Sequence, residues 1–277
     1  MKTIVCIFIL SIALTSCSIE SQTPRDQPDT LRLITTTSVN DSGLMEYLRP
    51  YLLEQTNLSI DVVSLGSGAA LEAGRRGDAD VLLVHSPQDE MTFIQEGYGI
   101  KRSTFMHNYF VIVGPQSDPA GLKGLQATDA FKQLISTQQP FISRGDNSGT
   151  HSKEKGLWSL VDVDVEKMTE SYPNYTSSGQ GMANTLLMAS ELQAYTLTDL
   201  ASYLFLKQRL DLDVIVDQSD ELRNDYSLIR INPDVVNNVQ VELAERFEAW
   251  MLQASTLKLI ASYGVDTYGE ALFIPNE

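Results

Sequence analysis

The run Val81-Leu82-Leu83-Val84, set between Asp80 and His85, narrows the choice of fold more than any other segment. A stretch apolar on both sides of the chain suits a strand covered on both faces, as in a parallel sheet packed between helices. Its neighbours keep the same rhythm. Residues 31–34 and 60–65 read as strands, each followed by a polar turn. Helical patterns then run through Leu44, Leu48, Tyr51 and Leu52, interrupted by Pro50, and through Leu71 and Ala73. A helix near residues 91–96 and a strong strand at 110–113 complete this first cycle.

A second cycle follows. Residues 140–142 lead into Ser143-Arg144-Gly145-Asp146-Asn147-Ser148-Gly149-Thr150, and a helix carries Leu157, Trp158 and Val161. Gly179-Gln180-Gly181 opens a helix over 182–191, residues 194–197 read as a strand, and 212–216 and 226–231 as two more. Pro233 closes the last, and the tail is expected to be helical from about 236 to 261. Alternation of this kind predicts an α/β fold with mainly parallel sheets flanked by helices, in one large or two modest domains.

The N-terminus indicates an address. Lys2 precedes an apolar run from residue 4 to 14, too short to span a bilayer but suited to a secretory signal. Leu14-Thr15-Ser16-Cys17 resembles the bacterial lipobox, in which the Cys becomes the acylated first residue. Residues 1–16 are thus expected to be a signal peptide, Cys17 the lipidation site, and 17–29, polar and Pro-containing, a tether to the cell envelope. Of the two cysteines, Cys6 leaves with the signal, so neither an internal disulfide nor a Cys-based metal site is expected. No His cluster has metal-ligand spacing, and no cofactor motif is present.

The formal charge is −16, and loss of Lys2 takes it to −17, which argues against nucleic acid or an anionic membrane surface as partner. It does not exclude an anionic small molecule. A buried site answers to nearby dipoles and cations, while distant surface charge is screened over about 10 Å.

Three segments share one design: Thr35-Thr36-Thr37-Ser38, Gly66-Ser67-Gly68, and residues 143–150. Each follows an expected strand and opens an expected helix. A helix start leaves backbone N–H groups unpaired and carries roughly half a positive charge. Hydroxyls add donors there, and glycines let the backbone approach closely. Arg144 adds a permanently charged, planar fork. Each segment alone has a plainer reading: an N-cap, an ordinary turn, or an arginine paired with Asp146. At corresponding ends of an α/β pattern they point together to an oxyanion. The candidate ligand-binding residues are Thr36, Thr37, Ser38, Ser67, Arg144, Ser148, Gly149 and Thr150. His85 is a further candidate, either donating to the ligand or acting structurally. His151 reads as a first-turn residue and His107 as a hinge-region residue without a ligand role.

The same motifs carry a resemblance. Ile34-Thr35-Thr36-Thr37-Ser38, Asp41-Ser42-Gly43-Leu44, Gly77-Asp78-Ala79-Asp80 through His85-Ser86-Pro87, and Ser143 through His151 are similar to the tungstate-binding components of ABC importers. Val111-Ile112-Val113-Gly114-Pro115 and Tyr195-Thr196-Leu197-Thr198-Asp199 fit the same family. That resemblance implies a two-lobe type II periplasmic-binding-protein fold with the ligand in the cleft, and an ABC permease as partner. It implies lobes of residues 30–110 with 223–277, and of 111–222, the chain crossing near 108–114 and returning near 222–231. A monomer with no cofactor and no enzymatic role is expected.

Arg144 to Thr150 also has the Arg-x-x-x-Ser-Gly-Thr spacing of phosphate-binding proteins, which place a carboxylate against the proton of hydrogen phosphate. Here that position falls at His85 or Ser86, so phosphate is disfavoured against tungstate, molybdate or sulfate. A serine hydrolase using Ser148 with His85 and Asp80 is the remote alternative. Gly145-Asp146-Asn147-Ser148-Gly149 carries an inserted Asn147 and lacks the nucleophile-elbow pattern, and the chain is not all-β.

Overall fold

The computed structural model describes residues 28–168, 172–217 and 219–276. The apolar leader, Cys17 and the tether as far as residue 27 lie outside the described residues. Strands β1 (Asp29–Thr35), β2 (Leu58–Ser64) and β3 (Val81–Val84) alternate with helices α1 (Thr37–Asp41), α2 (Leu44–Thr56) and α3 (Ser67–Arg76). After α4 (Pro87–Gln95) comes β4 (Gly99–Gly114), which is long enough to belong to two sheets.

In the first sheet the order is β10 (Ile274–Pro275), β4, β9 (Arg223–Ile231), β3, β1, β2. Strands β2, β1 and β3 run parallel, while β9 pairs antiparallel with both β3 and β4. Strand β4 changes partners midway. Gly99 to Tyr109 pair with β9; from Phe110 onward the partners are β7 (Thr196–Asp199) and β8 (Asp213–Val216). Beside β7 lie β5 (Phe141–Ser143) and β6 (Tyr175–Ser177), paired in parallel. Ile142 N–H donates to Tyr195 O at 2.9 Å, joining β5 to the second sheet.

Each sheet is covered on both faces. Leu31, Leu33, Leu83 and Leu228 pack against α2 and the helix Val241–Leu252, while Ile34, Leu82 and Ile229 pack against α3 and α4. In the second sheet Phe110, Phe141 and Leu197 face α5 (Ala127–Thr137) and α6 (Gly149–Leu160); Val111, Val113 and Ile142 face the helix Met182–Glu191. The expected run Val81-Leu82-Leu83-Val84 is fully buried, as a strand between two helical layers requires.

Several elements differ from the sequence pattern, for physical reasons. The strand expected at 110–113 is only the far end of β4, whose first half carries Lys101, Arg102, Ser103 and Thr104 and so hides its apolar side. The helix expected to run unbroken from 236 to 261 begins at Val241 and breaks at Gln253, which is extended (φ −73°, ψ 149°). The later start follows from Gln240, whose N–H donates to Asp80 Oδ1 at 2.9 Å and is held outside the helix. Strand β7 lies two residues later than expected, at Thr196–Asp199. Pro50 does not break α2, which continues to Thr56 and ends at Asn57 in the left-handed region (φ 53°). The helix Ala127–Thr137 carries no signal recognised above.

Asp80 ties the ends of the first lobe together. Its carboxylate accepts Arg32 Nε at 3.2 Å and Nη2 at 2.6 Å, the Arg32 N–H at 2.9 Å, and Gln240 Nε2 at 3.1 Å besides its N–H. Burial works to raise its pKa, but these donors outweigh burial and hold it below the ordinary value. Removing the carboxylate leaves a guanidinium and two backbone N–H groups without their acceptor. Asp80→Ala is expected to destabilise the protein by about 3–5 kcal/mol, read as a lower urea midpoint with an unchanged slope.

Candidate functional site

The three helix-opening turns expected to cooperate meet where the two sheets face each other. From the first lobe come Thr36, which precedes α1, and Ser67, the first residue of α3. From the second lobe comes the start of α6, where Ser148 is the N-cap, preceded by the loop that carries Arg144. Contact between the lobes is close at two points. A Cβ built on Gly66 would lie 4.0 Å from Ser148 Cα, and one on Gly149 would lie 2.6 Å from His85 Cε1.

Thr36 Oγ1 and Ser67 Oγ are buried and have no hydrogen-bond partner in the protein. An unsatisfied buried hydroxyl costs about 1–3 kcal/mol, so these two, both at helix starts of the first lobe, are donors open to an acceptor. Thr37 is half-buried beside Thr36, and Thr150 is buried in the first turn of α6. Ser148 Oγ accepts the His151 N–H at 3.3 Å, so this serine caps its own helix. His151 Nδ1 accepts the Asn147 N–H at 3.0 Å, closing the loop. Both features are helix-start chemistry, in keeping with the first-turn reading of His151.

Arg144 is only 6% exposed. Its Nε and Nη2 donate to Asp146 Oδ2 at 3.0 and 2.6 Å, and Asp146 Oδ1 accepts the Ser148 N–H at 3.1 Å. Burial works to raise the Asp146 pKa, but Ser148 and Arg144 hold it below the ordinary value. The carboxylate therefore orients the guanidinium and partly neutralises it. Gly145 makes the turn possible. It adopts φ +61°, and a Cβ there would fall 1.7 Å from Ser177 Oγ. Ser178 Oγ donates to Arg144 O at 3.1 Å, fixing the loop from the other side.

Ser38 and His85 are brought together, but with each other as partners. Asn224 Nδ2 donates to Asn108 Oδ1 at 2.8 Å and to the Tyr226 hydroxyl at 3.0 Å, leaving Asn224 Oδ1 to accept from His85 Nδ1 at 2.9 Å. Burial pushes the His85 pKa down to about 4, and the Arg144 charge acts in the same direction against the Asn224 bond. The ring is neutral at pH 7 with its proton on Nδ1. Nε2 is then an acceptor, taking the Ser38 hydroxyl at 3.4 Å. His107 lies on β4 and bonds Asn276 Oδ1 through Nδ1 at 2.7 Å.

Two further carboxylates are buried nearby, and both are engaged by the protein. Asp199 accepts the Ser202 N–H at 2.9 Å and its hydroxyl at 2.7 Å, capping the helix Leu200–Leu206. Glu154 accepts Ser143 Oγ at 2.7 Å, Tyr175 OH at 2.8 Å and Trp158 Nε1 at 3.1 Å, directly beneath the Arg144 loop. Three neutral donors do not offset its desolvation, and burial pushes its pKa up to about 7. The hydrolase alternative gains nothing here: Ser148 Oγ is bonded to His151 N–H, and Asp80 is bonded to Arg32 and Gln240. Among the described residues no cluster of three or more His, Cys, Asp or Glu is poised to hold a metal.

A cavity of about 570 Å³ lies along the crossing strands, lined by Asn108, Tyr109, Leu200, Asp217, Asp220 and Glu270. Three of these residues, Asp217, Asp220 and Glu270, are carboxylates, a lining opposite in character to the donors gathered around Arg144. Asn108, Asn224 and Tyr226 fall within the expected crossings at 108–114 and 222–231, but their bonds to one another and to His85 escape sequence reasoning. Asn108 and Asn224 are 116 positions apart, and neither lies in a turn motif.

The matching family model, for a PBP superfamily domain, spans residues 21–255 and defines the class: a binding protein of the periplasmic type. The tungstate-binding protein TupA of Peptoclostridium acidaminophilum is 42% identical, over 99% of this chain and 96% of its own length. The structure of the tungstate-binding protein TupA from Desulfovibrio alaskensis G20 aligns with a TM-score of 0.80 at 37% identity, covering 90% of this chain and 99% of that one. The structure of the tungstate ABC transporter from Geobacter sulfurreducens aligns with a TM-score of 0.77 at 39% identity, over 86% of this chain and 100% of that one. This chain belongs to the TupA family of the PBP superfamily, with its type II two-lobe α/β fold. These relatives are binding proteins of transporters, not enzymes.

Glu154 supplies a pH test of the site's foundation. Below about 4.5, its ordinary value, folded and unfolded chains are both protonated and burial carries no penalty. Between there and about 7 the unfolded chain loses the proton and the folded one keeps it, so stability falls as pH rises; above 7 the loss is constant. Glu154→Gln is expected to remove this slope. Relative to wild type it should gain roughly 2–3 kcal/mol between pH 5 and 8 in urea titrations.

Proposed function

We propose that this protein is the extracytoplasmic solute-binding component of an ABC importer, capturing tungstate and delivering it to a membrane permease. The observation that carries the reading is the pair of unpartnered buried hydroxyls, Thr36 Oγ1 and Ser67 Oγ, at helix starts facing the Arg144 loop. Thr36, Thr37 and Ser67 bind from one lobe, and Arg144, Ser148, Gly149 and Thr150 from the other. Ser38 and His85, expected as ligand donors, are bonded to each other and serve the pocket from behind. A tetrahedral dianion presents only acceptors, which suits a pocket whose free groups are donors. Hydrogen phosphate needs an acceptor for its proton, and Asp146, Glu154 and Asp199 are all engaged elsewhere. Tungstate is favoured over molybdate and sulfate by the relatives, since nothing in the pocket's geometry separates tungstate from molybdate.

The lobes are residues 30–110 with 223–277, and 111–222. The change of partner along β4 between Tyr109 and Phe110 supports the first boundary, and the start of β9 at Arg223 the second. The protein acts as a monomer, held at the cell envelope by a lipid on Cys17 after removal of residues 1–16. Among the described residues no helix is long and apolar enough to cross a membrane, and the lipobox-like Leu14-Thr15-Ser16-Cys17 supplies the attachment.

Arg144→Ala removes a buried cation and leaves Asp146 facing the anion unpaired. Tungstate affinity measured by calorimetry is expected to fall at least 100-fold, equivalent to about 3 kcal/mol. Thr36→Val and Ser67→Ala each remove one donor and should weaken binding about tenfold while slightly stabilising the ligand-free protein. Unchanged affinity in Arg144→Ala would reject this pocket. In competition, molybdate and sulfate should displace tungstate more readily than phosphate does; displacement by phosphate at equal concentration would reject the all-donor reading.

A further inference from the structure

His85 touches more than the pocket. Its ring, at the end of β3, lies against the start of α6 in the other lobe. A Cβ on Gly149 would meet Cε1 at 2.6 Å and both ring nitrogens at 3.1 Å, so the contact exists only because residue 149 has no side chain. The opposite edge of the ring reaches the hinge. Nδ1 is bonded to Asn224 on β9, and Asn224 is bonded to Asn108 on β4, two residues before that strand changes sheets. Tyr226, also on β9, packs 4.9 Å from the ring between centroids and bonds both Asn224 and Ser38. Both crossing strands are thus joined through one side chain to the surface that the second lobe presents on closure.

We propose that His85 is a positioning residue that couples lobe closure over the anion to the two hinge strands: its ring seats on Gly149 while Asn224 and Asn108 hold it to β9 and β4. The ligand bonds the helix starts, and His85 transmits the resulting lobe position to the crossing strands. A neutral ring suits this role, because a charged one would repel Arg144 within the same cleft. Such coupling makes the closed arrangement a discrete state rather than one of a continuum, as interlobe hinges require.

The inference rests on the pocket proposed above, and the two fail in different experiments. The test uses sodium tungstate, calorimetry for affinity and small-angle X-ray scattering for closure. Gly149→Ala should weaken binding at least 100-fold and abolish the tungstate-induced decrease in radius. His85→Ala and Asn224→Ala should each weaken it about tenfold, and together no more than either alone. His85→Ala added to Gly149→Ala should restore binding at least tenfold over Gly149→Ala, because the atom the new methyl strikes is gone. A double variant no tighter than Gly149→Ala, or independent multiplication of the His85 and Asn224 effects, overturns the proposal. If His85→Ala does not fold, His85→Asn makes the same comparison. Loss of binding in Arg144→Ala alongside failed rescue would leave the pocket standing and remove only the role of His85.

Discussion

Strand β4 belongs to two sheets, and the geometry of the site follows from that sharing. Up to Tyr109 its backbone groups pair with β9, and from Phe110 they pair with β7 and β8. The consequence is a cleft in which strand ends of both sheets, and the helix starts that follow them, point at a common region. Helix starts on one sheet alone would give a shallow anion site open to water. Facing pairs of them exclude water and raise the value of each donor.

The proposed pocket also accounts for how an acidic chain could present donors to an anion. The chain carries −16 overall, while the candidate pocket contains Arg144, helix N-termini and two unpartnered hydroxyls. Asp146 lies beside Arg144, yet it faces the guanidinium and Ser148 N–H, so it acts as an orienting group. Glu154 and Asp199 are buried close by with their oxygens engaged by Ser143, Tyr175, Trp158 and Ser202. Each of these carboxylates is engaged inside the protein, and the unpartnered hydroxyls of Thr36 and Ser67 can donate. That asymmetry suits a fully deprotonated oxyanion.

Much of the candidate site was legible because its residues cluster in short segments. Thr35 to Ser38, Gly66 to Gly68 and Ser143 to Thr150 each combine a strand end with a helix start, and local chemistry suffices to recognise them. The roles within those segments were not legible. Ser38 and Thr36 are two positions apart with similar side chains, yet the Ser38 hydroxyl bonds His85 and Tyr226 while the Thr36 hydroxyl has no partner. The difference depends on residues 47 and 188 positions away. The first half of β4 escaped notice because polar residues interrupt its pattern, and its identity rests on pairing with β9 rather than on its own composition.

The sequence by itself determined the α/β alternation, the buried β3 strand, the three donor-rich turns and the presence of Arg144. These follow from apolar periodicity and from the chemistry of helix starts, which act over a few residues. Only the tertiary structure decided which donors stay free, where Asp146 directs Arg144, and how His85 joins Gly149 to Asn224 and Asn108. Those outcomes depend on burial and on contacts across more than a hundred positions, as between Asn108 and Asn224. A hydroxyl or an imidazole acquires its role from the partner it meets, and local sequence does not name that partner.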